Sequence, residues 1–218
     1  MFSLTKIKPR VYHLEFKSHY DLCMAFLRYQ ESYEASEDRF RISNFTIVEY
    51  MKWYTENSSR GKSKTFRYMD DWAGFNIPLN VIKNVHDRGL TDPNMYDSLM
   101  FGIHGMITSC GEYNSYLIGS QIGELKTMKH ELVHAEYFTN VAYRTKVLTE
   151  LNSLDQTFHE ELSTVLKQLD YCVDVLDDEI NAFLVAGDTN YFGNFTKRQS
   201  FRTLKKQLIS LYEEYEIK

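Results

Sequence analysis

The chain contains few cysteines, which can cross-link a fold, and few prolines and glycines, which interrupt helices and strands. Its 218 residues include 3 cysteines, 3 prolines and 10 glycines. Cys23, Cys110 and Cys172 are far apart and odd in number, which argues against a disulfide framework and against a cysteine-based metal site. Because proline and glycine are the usual breaks between elements, their scarcity predicts long elements, most of them helices. The few, widely spaced cysteines also lead us to expect a protein of a reducing compartment.

Long apolar runs and an excess of basic charge are also missing. No stretch approaches the roughly 18 consecutive apolar residues of a membrane-spanning helix, and the first ten residues lack the apolar segment of a signal peptide. We therefore expect a cytoplasmic location, in the protein's own cell or in a host cell, and no membrane partner. The formal net charge of -5 makes a nucleic-acid partner unlikely.

The composition is that of a folded domain with a sizeable core. Hydrophobic residues make up 43% of the chain and charged residues 25%, and no internal repeat or linker-like stretch divides it. We therefore predict one α+β domain over residues 1–218, predominantly helical, with an α/β part over 1–140 and a helical part over 141–218. Residues 57–63 have the composition of an exposed loop, and residues 66–92 predict mostly irregular structure.

Hydrophobic periodicity distinguishes the predicted strands from the predicted helices. Apolar residues three or four positions apart indicate helices, whereas weak alternation or a short apolar run between glycines indicates a strand. The predicted strands cover 10–17 and 116–119, and the predicted longer helices cover 19–35, 123–138, 143–153, 156–170, 173–186 and 198–215. Further helices are predicted from a cap at Ser43 or Asn44 to Tyr54, over a short segment around 81–85, and from Asp92-Pro93 through Ile103.

One five-residue sequence, His130-Glu131-Leu132-Val133-His134, points to metal chemistry. Residues four apart on a helix lie on the same face, so the two imidazoles can bind one Zn²⁺ at about 2.0–2.1 Å each. Glu131 lies about 100° around the helix from His130, where its carboxylate can reach a water molecule rather than the metal. The spacing therefore predicts His130 and His134 as zinc ligands and Glu131 as the catalytic base.

The structural alternative is a pair of core histidines that bind only other side chains. Leu132, Val133 and Ala135 are uncharged, as a buried metal-binding helix requires. Two histidines on a buried helix need partners, because an unpaired polar group is costly in an apolar environment. Glu136 departs from the motif, in which an apolar residue is expected at that position.

A catalytic zinc ion needs a third protein ligand, and Glu179 is the best candidate. On a helix, Glu179 shares one face with Val175, Ala182, Phe183 and Ala186. That face is otherwise apolar, and a carboxylate that points into a core is costly unless it is paired or bound to a metal. The alternative role for Glu179 is a surface carboxylate or the partner of a buried arginine.

Other carboxylates and one histidine remain candidates for the third ligand. Asp178, His159, Glu160 and Glu161 follow the motif at suitable distances along the chain. However, Asp174 and Asp178 share a more polar helix face, which predicts a solvated acidic edge rather than a site.

The two helices that carry these residues resemble those of the gluzincin zinc metallopeptidases. The stretch Glu179-Ile180-Asn181-Ala182-Phe183-Leu184 is similar to the E-A-N-x-F-A stretch of ImmA/IrrE-type peptidases, in which the glutamate is the third zinc ligand. The resemblance covers these two helices only. It implies a zincin-like fold with a small sheet packed on the motif helix, zinc bound by His130, His134 and Glu179, and Glu131 as base and then acid. It also implies that an edge strand before the motif helix pairs with the substrate, a place that residues 115–119 occupy.

Three functions are compatible with these residues. The first is a zinc metallopeptidase that hydrolyses a peptide bond in a protein or peptide substrate. The second is a regulatory or binding protein on a zincin-like scaffold, without catalytic metal, and the third is a metal-dependent hydrolase of a non-peptide amide. The oxyanion donor stays open among Tyr137, Tyr143, Tyr191, Arg144 and His159. The sequence predicts no oligomeric state.

Overall fold

The computed structural model describes residues 1–58 and 64–216, and these form an α+β fold that is predominantly helical. The predicted loop over 57–63 therefore lies largely outside the described residues. The strands are β1 (Phe2–Lys8), β2 (Val11–Phe16), β3 (Gly74–Pro78) and β4 (Tyr116–Gln121). The helices are α1 (His19–Glu34), α2 (Asp38–Ile42), α3 (Ile47–Asn57), α4 (Tyr68–Asp71), α5 (Leu79–Asp87), α6 (Met95–Ser109), α7 (Leu125–Thr139), α8 (Val141–Asn152), α9 (Gln156–Lys167), α10 (Leu176–Ala186) and α11 (Gln199–Glu216).

The longer predicted helices agree with the structure to within a few residues. α1, α7, α8, α9 and α11 match the predicted helices, and the helix expected over 173–186 begins as a short 3-10 turn at Val173–Val175 before α10. The strands at 10–17 and 116–119 correspond to β2 and β4. The organisation of residues 1–218 as a single domain, with an α/β part over 1–140 and a helical part over 141–218, stays a prediction.

The described strands form one mixed sheet in the order β1-β2-β4-β3. β1 is antiparallel to β2, β2 is parallel to β4, and β3 is antiparallel to β4. The expectation that residues 115–119 form an edge strand is wrong, because β3 pairs with the outer side of β4. The edge next to α7 is therefore β3.

The sequence prediction missed two strands for different reasons. β3 lies within the stretch expected to be irregular; it is five residues long, begins with Gly74, ends with Pro78 and is buried along its whole length, so it shows no alternation. Proline is tolerated there because an edge strand need not donate every hydrogen bond. β1 is the opposite edge and is largely exposed, with Lys6 and Lys8 among its residues. Charged residues are common on such edges because they prevent pairing with other chains.

α7 lies between the sheet and the later helices. It packs against β3 and β4 on one side and against α10 on the other. One hydrophobic core joins the sheet to α1, α3, α5 and α6, and a second joins α7 to α8–α11. A third, smaller cluster, which includes Val11, Tyr116, Ile118 and Ala135, packs another side of α7 on β2 and β4. Within the described ranges, no helix combines the length and apolar character needed to cross a bilayer.

Candidate metal centre

The two motif histidines lie on the side of α7 that faces α10. His134 is buried, and the side chain of His130 is 14% exposed. The i,i+4 spacing brings their rings together, with His130 Nε2 and His134 Nε2 3.1 Å apart. The helical face predicted from the sequence is thus observed.

Glu179 extends from the first turn of α10 toward these rings. It is 2% exposed, and the residues predicted to share its face are buried or half-buried. Its Oε1 is 3.6 Å from His134 Nε2, and its Oε2 is 3.9 Å from His130 Nε2. The structure therefore brings together the three side chains that the sequence predicts as metal ligands.

The separations fit a single metal ion. Ligand atoms bound tetrahedrally at about 2.0–2.1 Å stand about 3.3–3.4 Å apart. The observed distances are 3.1, 3.6 and 3.9 Å, of which the last two end on different oxygens of Glu179. One ligand atom from each of His130, His134 and Glu179 lies within 4.8 Å of the others, so the group could hold a metal ion. Two imidazole nitrogens and a carboxylate that face one point repel one another unless a proton or a cation lies between them.

Asp178 corrects one prediction made from the sequence. It is 7% exposed, not part of a solvated edge, whereas Asp174 is exposed as expected. Its Oδ2 lies 3.1 Å from His134 Nδ1. Asp178 is therefore placed to accept a hydrogen bond from the Nδ1–H of His134 and to leave Nε2 free for a metal, which is the usual role of a carboxylate behind a histidine ligand. The predicted exposure of Asp178 is wrong because its partner, His134, belongs to a different helix, which the pattern within α10 does not show.

The two imidazoles differ in their affinity for a proton. Burial and the neighbouring ring hold the pKa of His130 well below its usual range. Burial also acts to lower the pKa of His134, but the carboxylates of Asp178 and Glu179 outweigh it and raise that pKa to about 10. The metal-free pair therefore carries its proton on His134, and a metal ion would replace that proton.

Glu131 lies on the side of α7 that faces β3 and is 5% exposed. Asn76 Nδ2 of β3 donates a hydrogen bond of 2.6 Å to Glu131 Oε2. Burial raises the pKa of Glu131 to about 7, against the lowering effects of His134 and of the Asn76 hydrogen bond. A carboxylate with a pKa near neutrality is suited to accept and return a proton.

A cavity of about 480 Å³ opens beside these groups. Such a volume falls within the roughly 300–1,000 Å³ of sites that take small molecules or side chains. Its wall includes His130, Glu131 and Glu179, together with aromatic and acidic side chains from other parts of the chain. These are Trp72, Tyr171, Phe183 and Tyr191 among the aromatic residues, and Glu34, Asp71 and Asp188 among the acidic ones.

The remaining ligand candidates contact other side chains, away from His130 and His134. His159 Nε2 is 2.8 Å from Asp177 Oδ1, and Glu160 and Glu161 bind exposed side chains of other surface residues. Glu136, which departs from the motif, is buried, accepts a hydrogen bond of 2.7 Å from Asn140 and lies 3.5 Å from Lys8 Nζ. Its charge is thus accommodated at the end of β1, away from the metal-binding face.

The candidates for the oxyanion donor are reduced by their contacts. Tyr143 donates a hydrogen bond of 3.0 Å to Asn181, and Arg144 donates to two backbone carbonyls at the end of α7. Tyr191 is part of the cavity wall and is exposed. Tyr191 is therefore the candidate from that set that can reach a bound molecule.

Two residues beside Glu131 have no counterpart in the sequence prediction. Asn76 binds Glu131, and Gly74 borders it; both belong to β3. No local pattern marks them, because the strand itself lacks a strand-like pattern. Only its pairing with β4 identifies it.

No protein-family model, no curated protein and no solved structure matches this chain. Its function must therefore be inferred from the geometry of the site.

Proposed function

We propose that this protein is a zinc-dependent peptidase with a zincin-like arrangement of sheet and motif helix. The observation that carries the proposal is that one ligand atom from each of His130, His134 and Glu179 lies within 4.8 Å of the others. Two imidazoles and one carboxylate are a common ligand set of catalytic zinc, which keeps its fourth position for water or substrate. Asp178 behind His134 supports the same interpretation.

The proposed chemistry needs few groups beyond the metal ligands. A bound zinc ion would lower the pKa of water and polarise a substrate carbonyl. Glu131, beside His130 in the cavity wall, would accept the proton of water and then give it to the departing amine. Its pKa of about 7 suits both steps at neutral pH.

β3 supports a peptide as the substrate. Trp72, Ala73 and Gly74 line the cavity at the start of this edge strand. The backbone N–H of Asn76 points away from β4 and donates to Gln30 Oε1 at 3.3 Å. By the alternation of a strand, the N–H and C=O of Gly74 point the same way. An extended substrate backbone would therefore pair with residues 72–74, beyond the part of the edge that Gln30 covers.

The test begins with metal analysis of the full chain purified without added chelator. Near-stoichiometric zinc is expected, followed by cleavage of a peptide library read by mass spectrometry. A chelator should abolish cleavage and added zinc should restore it. Glu131→Gln, which keeps the size of the side chain but removes the base, should bind zinc and cleave at least about 100-fold more slowly.

Two outcomes would replace this proposal by one of its alternatives. Zinc binding without cleavage of any peptide would favour a hydrolase of a non-peptide amide or a non-catalytic metal site. Absence of zinc, or a Glu131→Gln variant as active as the unmodified chain, would contradict the peptidase mechanism itself.

A further inference from the structure

Three buried polar groups lie in series between the sheet and α7. Tyr116 of β4, Asn76 of β3 and Glu131 of α7 are 0%, 5% and 5% exposed. The hydroxyl of Tyr116 donates to Asn76 Oδ1, and Asn76 Nδ2 donates to Glu131 Oε2 at 2.6 Å. Buried groups of this kind are expected to be fully hydrogen-bonded, and each bond here fixes the next.

The direction of the series follows from the chemistry of its last member. When Glu131 is ionised, its carboxylate only accepts hydrogen bonds, so the atom of Asn76 that faces it is Nδ2, as observed. Oδ1 then faces Tyr116, whose hydroxyl can donate. The tyrosine hydroxyl and the carboxylate therefore favour the same orientation of the Asn76 amide.

The backbone around Asn76 is held as firmly as its side chain. Its N–H donates to Gln30 Oε1, and it pairs with Ile118 in the register of β3 and β4. On the other side of the carboxyl group lies Gly74, where an added Cβ would stand 2.7 Å from Glu131 Oε1. The carboxyl group therefore sits close to β3, with Oε2 bound to Asn76 and Oε1 beside a residue that has no side chain.

We propose that Asn76 is a positioning residue for the proposed base: it holds Glu131 Oε2, so that Oε1 is the oxygen that accepts the proton of water. The inference rests on the proposed function for the identity of the base. Asn76 acts through Glu131: among the described residues, its hydrogen bonds go to Gln30, Tyr116 and Glu131, and to none of the three proposed metal ligands. Tyr116 acts one step further back by orienting Asn76.

The expected effect is on turnover more than on binding. A glutamate without this hydrogen bond can adopt other rotamers, and a small misplacement of a catalytic group is costly in rate. A misplacement of about 1 Å can cost about 100-fold in rate. Asn76→Ala should therefore lower kcat by up to about 100-fold, with KM and zinc content close to those of the unmodified chain. In the Glu131→Gln background, Asn76→Ala should cause little further loss, because the base is already absent.

The structure offers a matched control for the more conservative variant. Tyr116 and Tyr143 are both fully buried, and each hydroxyl donates to a buried asparagine, Asn76 and Asn181 respectively. Tyr116→Phe and Tyr143→Phe each remove one such bond. Tyr116→Phe should lower kcat, whereas Tyr143→Phe should leave it unchanged. Tyr116→Phe also serves if Asn76→Ala does not fold.

A second readout does not depend on activity. In the NMR spectrum of the zinc-loaded chain with ¹⁵N-labelled asparagine, one side-chain amide proton of Asn76 should be shifted downfield and protected from exchange. Both features should disappear in Glu131→Ala and weaken in Tyr116→Phe, but persist in Tyr143→Phe.

Each outcome bears on the inference separately from the peptidase proposal. An unchanged kcat in Asn76→Ala, or an Asn76 amide signal that ignores Glu131→Ala, would overturn the positioning role. An inactive unmodified chain would contradict the peptidase proposal, and the amide signal would then decide alone whether Asn76 holds Glu131. Equal losses of kcat in Tyr116→Phe and Tyr143→Phe would mean a general loss of stability and would also overturn it.

Discussion

Gly74→Ala tests whether the site depends on close contact between β3 and α7. A Cβ at residue 74 would overlap Thr127 Cγ2 and stand 2.7 Å from Glu131 Oε1, whereas ordinary contacts are about 3.5 Å or longer. Either α7 must move away from the sheet or both side chains must leave their positions. Overpacking of this kind costs about 1–3 kcal/mol. For a chain of this size, each kcal/mol lowers Tm by about 2–4 °C.

The assay is urea unfolding of the zinc-free chain, with thermal unfolding as a second measurement. Gly105→Ala is the matched control, since an added Cβ at that exposed position of α6 meets nothing within 4 Å. Alanine there should stabilise the chain by about 0.5–1 kcal/mol, because alanine is the better helix former.

A second substitution separates the two contacts. Thr127→Ser removes Cγ2, so the double variant Gly74→Ala/Thr127→Ser should regain most of the lost stability. The contact with Glu131 Oε1 would remain, so cleavage should stay impaired. If Gly74→Ala is as stable as the unmodified chain, or if Thr127→Ser recovers none of the loss, close packing of β3 on α7 is not what the glycine provides.

Four further measurements address the metal and the core. Asp178→Asn should weaken zinc binding by about 10- to 100-fold in a chelator competition while the fold persists, because His134 loses a charged partner; unchanged affinity would exclude that role. Zinc at about 100 times its Kd should stabilise the fold by about 2.7 kcal/mol, and a melting curve that ignores both zinc and chelator would contradict a metal site. Arg28→Ala should cost about 3–5 kcal/mol in urea unfolding, because it removes the buried cation that contacts Asp97, whose side chain is 4% exposed, at 3.1 Å; a loss below about 1 kcal/mol would contradict a buried ion pair. The zinc-free chain should lose stability as the pH rises from 6.5 toward about 10, and a rise over that interval would refute the assigned protonation states.

Much of the metal centre could be predicted because its information is local. The spacing of His130 and His134 is set by one helical turn, and the apolar stripe around Glu179 is set by three turns of another. Periodicity predicts such faces well, since a helix has the same geometry in any environment. Local patterns do not show which later helix packs against the motif helix. The sequence predicts α10 only because burying the carboxylate of Glu179 would be costly without a partner.

The parts that could not be predicted depend on contacts between distant residues. β3 is buried on both faces and shows neither period 2 nor period 3.6, so Asn76 and Gly74 carried no signal. Asp178 sits beside polar residues on its own helix, and its burial depends on His134 in α7. In each case the role of the residue depends on a partner in α7, and the two come together only when α7 packs between β3 and α10.

The same packing explains the sign of the pH prediction. Burial raises the pKa of Glu131 from 4.5 to about 7, so its contribution to stability falls as the pH rises through that interval. Burial lowers the pKa of His134, but neighbouring carboxylates raise it to about 10, so the folded chain keeps a proton that the unfolded chain releases above pH 6.5. His130, whose pKa is lowered, is neutral in both states above that pH and does not oppose the trend. A divalent cation binds the deprotonated ligands, and its stabilising effect should therefore grow over the interval in which the metal-free chain weakens.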